Sequence, residues 1–447
     1  MSPTNKEEYD LILSGGNVVL PGLKTEQLDI GIIDSKIAEL GDLSRKTYKE
    51  KLAINDLIVI PGAIDTQVHF REPGITHKED IYHGTKGAVL GGTTSIFEMP
   101  NTKPPTINEM ELQKKVDIAT KNAFCNFSFF MGAAKENIKK LSELENLSGC
   151  CGVKIFVGSS TGDLLVEDDE NLTKIFSNVK RMISVHSEDE YRLRERKSMI
   201  SKSSATVLDH PNWRDVVSAV QSTKRLLKIA NLTNKKIHIL HLSTADEIDL
   251  LEKNKHIATC EVTPQHLFFS SPDCYESLGT FVQMNPPIRD KAHTSGLWKG
   301  IVRGIVDVIG SDHAPHTIEE KKKDYPNSPS GMTGVQTLLP IMLNFVNKNK
   351  LSIFDLVKLV CINPCKIFNI KDKGEVKIGY DADLTIIDMN KEFTISNDWI
   401  ESKSKWTPYD NLKIKGMPVL TIINGKIVMR ENVVLSEPLG RKVNFKS

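Results

Sequence analysis

From Ile60 to about Gly374 the chain alternates short, almost wholly apolar runs with longer stretches whose apolar residues recur at helical spacing. The runs are IPGAIDTQVHF (from Ile60), TTSIFEM (from Thr93), NFSFFMG (from Asn126), GVKIFV (from Gly152), RMISVH (from Arg181), KIHILHL (from Lys236), ATCEVT (from Ala258) and IVDVIGSD (from Ile305). A strand apolar on both faces is covered on both faces, which marks a parallel sheet, and parallel neighbours need a crossover helix between them. Eight such units use about 250 residues and close on themselves. The pattern therefore predicts an α/β fold, a (β/α)8 TIM-like barrel.

The flanks read differently. DLILSGGNVVL, LDIGII and KIAEL precede the barrel, with Gly15-Gly16 and Pro21-Gly22 as punctuation, and DADLTIID, PVLTIINGKIV and VVLSEP follow it. Asn424-Gly425 is a two-residue hairpin signal. Neither flank is long enough to bury a core of its own. Both termini are expected to join in one small composite β-sandwich, dividing the chain into residues 1–58, the barrel over 59–373, and residues 374–447.

Charge narrows the function classes. Lys+Arg of 58 against Asp+Glu of 57 gives a formal charge of +1, with no basic excess to hold a phosphate backbone, so no nucleic-acid partner is expected. No apolar stretch reaches the ~18 residues of a membrane helix, and MSPTNKEEYD carries no apolar signal core, so the expected compartment is the cytoplasm. The seven cysteines are scattered and read as reduced thiols; Cys361 and Cys365, four apart, could form half a zinc site, but no matching pair exists and packing is the default. Cys150 and Cys151 receive the same reading.

Candidate chemistry lies at the strand ends. His69 closes the first run, Lys154 sits in the fourth, His186 ends the fifth, His241 lies near the end of the sixth, and Asp312 ends the eighth. In a parallel barrel these ends meet at one mouth, where active sites lie. Gathering imidazoles, a carboxylate and an ammonium there is costly unless something pairs them, and a divalent metal does so. Such a donor set suits Zn²⁺, which turns bound water into a nucleophile near neutral pH. Lys154 can contribute only if carbamylation by CO₂ replaces its charge. Period-two alternation puts Asp65, Gln67, His69 and Arg71 on one face. An arginine beside a metal site fits an anionic substrate, bidentately if a carboxylate; the alternative is an ion pair with Glu72.

Taken with HFREPG, this constellation resembles the cyclic amidohydrolases of the amidohydrolase superfamily, specifically the long, class I dihydroorotases. The resemblance runs through DTQVHFREPG (from Asp65), GGTTSIFEMPNT (from Gly91), GVKIF (from Gly152), VHSED (from Val185), HLST (from His241), CEVTPQHL (from Cys260), NPPIR (from Asn285) and GSDHAPH (from Gly310), and so spans nearly the whole chain. It implies that His69 ligates the more buried of two zinc ions, that carboxylated Lys154 bridges them, and that His186 and His241 hold the second. Asp312 would ligate metal and carry the proton as acid or base. Arg71, Asn101 and His316 would grip the carboxylate of dihydroorotate, Asn285 would touch the ring, and Thr161 would close over it from a lid. Glu261 stands where some members hold an additional metal. Cyclisation of N-carbamoyl-L-aspartate to L-dihydroorotate is the implied reaction, with a homodimer or an association with aspartate transcarbamoylase as implied assemblies.

One position departs from the pattern. The family usually has His-x-His on the first strand, and here Gln67 replaces the first histidine. An amide oxygen can ligate a metal but is a weaker zinc donor than imidazole. The buried metal is then held through Gln67, or lost to leave one ion, or the chain is a non-catalytic homologue that partners a transcarbamoylase. Allantoinase and hydantoinase activities are the nearest enzyme alternatives, and Arg71 is what a neutral ring would not require.

Overall fold

The computed structural model of the protein describes residues 8–159 and 164–446. Eight parallel strands form one sheet in simple sequence order: Ala63–Val68, Thr93–Glu98, Asn126–Gly132, Cys150–Phe156, Ile183–His186, Ile237–Ile239, Ala258–Val262 and Val308–Ile309. Seven fall within the apolar runs, and the fourth starts two residues ahead of its run, taking in Cys150 and Cys151. The first and last strands meet through a parallel bridge between Val68 and His313 and the bond His69 N–H to His313 O, 2.7 Å, so the sheet closes as a barrel.

Crossover helices start where the sequence supplies an N-cap acceptor. Asp80 caps Ile81–Leu90, Asn108 caps Glu109–Asn122, Asp215 caps Val216–Thr233, Thr244 caps Ala245–Glu252 and Asp290 caps Lys291–Val302. No helix among the described residues is long and apolar enough to cross a membrane.

The two ends of the chain build a separate nine-stranded sheet. Its seam is the strand Ile58–Pro61, which pairs in parallel with Glu8–Leu20 and antiparallel with Leu384–Thr394. Leu11, Ile30, Val59, Leu384 and Ile422 share one buried cluster, so both termini enclose a common core. The Asn-Gly signal is a tight turn joining Lys413–Ile423 to Lys426–Arg430, with φ of 51° at Asn424 and 76° at Gly425. Phe97, Phe130 and Phe368 pack edge to face, and the C-terminal tail runs against them: Val443 N–H bonds Phe127 O, and the Phe445 ring lies 6.0 Å from Phe97. All seven cysteines are buried thiols, and Cys361 Sγ lies 3.2 Å from Pro61 O.

Candidate active site

At the carboxyl ends of the strands, one cavity is lined by Gln67, His69, Arg71, Lys154, Phe156, His186, His241, Asn285 and Asp312, with Ala314, Ser330 and Gly331 completing the wall. Lys154 lies within its strand, His69 directly follows one, and His241 and Asp312 stand just past the short sixth and eighth strands. Arg71, His241 and Asp312 have φ of 60°, 36° and 45°. Left-handed backbone at non-glycine residues is costly and concentrates at functional sites. Gly331 has φ of 142°, and a side chain there would come within 2.3 Å of Ala314 O, so this wall requires glycine.

The first strand corrects the alternation argument. Its register shifts between Asp65 and Val68, a bulge that turns Asp65 away from the cavity while Gln67, His69 and Arg71 line it. Asp65 instead accepts backbone N–H groups from Ser311 and Gln67. Nor does Arg71 pair with Glu72, whose carboxylate takes the N–H of Ile81. The Arg71 guanidinium is buried, gives Nε–H to Pro315 O at 3.3 Å, and has no ion pair among the described residues. Burial pushes it down to about 10. His316 Nε2 lies 3.4 Å from Arg71 Nη2, and Lys78 Nζ lies 3.0 Å from His316 Nδ1 and is ion-paired with Glu320 at 3.0 Å.

The imidazoles are tied from behind. His69 Nδ1 lies 2.7 Å from Asn101 Oδ1, and its Nε2 is 3.3 Å from Asp312 Oδ1. His186 Nε2 lies 2.9 Å from Glu188 Oε2, leaving Nδ1 facing His241 Nε2 at 3.0 Å. Glu188 is itself paired with Arg214. Burial holds His69 and His241 well below the ordinary histidine range, so both rings are neutral. Burial also raises Asp312 to about 7 and lowers Lys154 to about 7.

Among the described residues no three His, Cys, Asp or Glu side chains stand close enough together to hold one ion. The donors come as two pairs, His69 with Asp312 and His186 with His241, and Lys154 and Gln67 face the same cavity. Among the described residues, Lys154 Nζ, Gln67 Oε1 and His241 Nδ1 are buried without a hydrogen-bond partner. Orphaned buried polar atoms are rare, and here they accompany imidazoles that meet nitrogen to nitrogen. The set fits a divalent cation if Lys154 supplies oxygen ligands as a carbamate.

Of the remaining expected residues, Asn285 lines the cavity, with its Oδ1 3.1 Å from His210 Nε2, while Asn101 and His316 stand behind the wall. Glu261 does not line it. Glu261 lies in the barrel interior, bonded by the Thr66 hydroxyl and 3.8 Å from His238, in space that Gly310 leaves open. Thr161 lies outside the described residues. Sequence reasoning missed Glu188, whose only signal was its place two residues after His186, and it missed His313. The latter is held between Glu79 Oε2, 3.2 Å away, and the N–H of Gly334.

Comparison with known proteins agrees with this architecture. The amidohydrolase family profile matches residues 58–428. A dihydroorotase from Pyrococcus abyssi is 35% identical over 422 residues, covering 93% of this chain and 94% of that protein. One from Methanosarcina mazei is 33% identical over 423 residues, covering 90% and 92%. Among solved structures, the L-hydantoinase (dihydropyrimidinase) of Arthrobacter aurescens superposes with a TM-score of 0.94 at 27% identity, over 97% of this chain and 99% of that one.

Proposed function

Because the chain belongs to the amidohydrolase family, we propose from its cavity that it is a dihydroorotase, interconverting N-carbamoyl-L-aspartate and L-dihydroorotate. The observation that carries the reading is Arg71, a buried guanidinium facing the cavity with no ion pair among the described residues. A buried charge of this kind calls for an opposite one, and the substrate's carboxylate matches its fork. The dihydroorotase relatives support this choice over a neutral cyclic amide.

The chain's residues divide the work. Arg71, with Asn101 and His316 behind it, takes the carboxylate. His210 holds Asn285 by its oxygen, leaving the amide N–H groups of Asn285 to meet a ring carbonyl. In hydrolysis Asp312 takes a proton from the attacking water and returns it to the departing ring nitrogen; in synthesis it takes the ureido proton and gives it to the water that leaves. Lys154, His186 and His241, with Asp312 and His69 alongside, would hold Zn²⁺. For this the Lys154 amine adds to the carbon of CO₂ and releases one proton, and the carbamate's oxygens replace an ammonium. A divalent ion held there acidifies water toward a pKa of ~7 and polarises the amide carbonyl. Phe156, 4.6 Å from Lys154 Nζ, gives that side chain an apolar flank that excludes water.

The test is turnover of L-dihydroorotate by the purified protein with added Zn²⁺, alongside allantoin and hydantoin. Preference for dihydroorotate supports the reading, and preference for a neutral ring overturns it. Gln67 favours a second reading, a non-catalytic homologue acting as a transcarbamoylase partner. Inertness toward all three substrates would select it.

A further inference from the structure

Gln67 lies in the half of the cavity that holds His69 and Asp312, where its Nε2–H donates to Asp312 Oδ1 at 3.0 Å while its Oε1 has no partner among the described residues. The neighbouring His69 directs Nε2 to that same Oδ1. This half therefore offers one imidazole and one neutral amide, both already engaged with Asp312. The other half offers two imidazoles whose nitrogens meet at 3.0 Å, one braced by the Glu188–Arg214 pair, beside a Lys154 Nζ with no hydrogen-bond partner among the described residues. Imidazole is the stronger donor for a borderline ion such as Zn²⁺, and a carboxylate backing a ligand histidine strengthens it further.

We propose that the chain takes up one divalent ion, on the side of His186, His241 and Lys154. On this proposal Gln67 is a positioning residue. Its amide N–H holds Asp312 Oδ1, leaving Oδ2 free to carry the proton. The inference rests on the metal-dependent reading above and specifies its stoichiometry.

The experiment loads the purified protein with excess Zn²⁺ in bicarbonate buffer, removes free metal by desalting, and counts zinc per chain by plasma mass spectrometry. Wild type and Gln67→Leu are expected to hold one equivalent and Gln67→His two. In Gln67→Leu, kcat for dihydroorotate should fall about 10- to 100-fold, the range for loss of a supporting contact, with KM within about twofold because the carboxylate grip is untouched. Two equivalents in the wild type, or zinc lost in Gln67→Leu, would make Gln67 a ligand and overturn the inference. Should Gln67→Leu not fold, Gln67→His decides alone, since its remaining at one equivalent overturns it. Two equivalents with good dihydroorotate turnover sink only the stoichiometry; one equivalent with no dihydroorotate turnover sinks only the substrate.

Discussion

The Asp65 carboxylate accepts the backbone N–H of Ser311 at 3.0 Å, joining the first barrel strand to the last across the closing seam. Both residues are buried, so removing the acceptor strands an amide that water cannot reach. Asp65→Ala should cost about 1–3 kcal/mol, read as a lower urea midpoint. Asp65→Asn, which keeps an acceptor oxygen, should recover part of that loss.

Arg71→Ala should raise KM for dihydroorotate far more than for an uncharged dihydropyrimidine. A charge-assisted pair is worth about 1.5–3 kcal/mol, roughly 10- to 100-fold in affinity. Steady-state kinetics on both compounds check it, and equal losses would remove carboxylate recognition from Arg71.

Asp312→Asn should abolish turnover while sparing substrate binding, because the amide fills the same space but cannot shuttle a proton. A loss of at least 100-fold in kcat is expected, in the range for general acid–base groups of about 10²–10⁴. Calorimetric titration with dihydroorotate would show whether binding survives.

Glu188 predicts an acid transition. Burial alone would raise its carboxyl, but Arg214 and the His186 hydrogen bond outweigh burial and bring it down to about 2. An unfolded glutamate titrates near ~4.3, so the folded form binds fewer protons between those values. The stabilisation is complete above about pH 4.3 and is lost as the pH falls toward 2, amounting to roughly 3 kcal/mol for a fully buried group. Urea denaturation of metal-free protein across pH 2–5 should show this slope, and Glu188→Gln should flatten it.

Much of this was legible in the sequence because a parallel strand buried on both faces cannot disguise its apolar run. The positions of His69, His186, His241 and Asp312 at or near the ends of those runs, and of Lys154 inside the fourth, followed directly. Other features depend on partners far along the chain. The bulge that turns Asp65 to Ser311 is set by pairing with other strands, so alternation within DTQVHFR predicted the wrong face for it. Arg214 reaches Glu188 from a different loop, and Glu79 meets His313 from 234 residues away. No local pattern marks such pairs, since each is a charge that becomes costly only once the fold has buried it.

The seam strand Ile58–Pro61 also has a consequence in time. One of its neighbours, Glu8–Leu20, emerges before it, whereas the other, Leu384–Thr394, follows about 320 residues later. At about 5–20 residues per second of synthesis, that edge waits on the order of 20–60 s with its backbone groups unpaired. An open edge recruits other strands. Premature release from the ribosome anywhere in the barrel would thus leave a sticky fragment, because the edge is covered only once Leu384–Thr394 has been made.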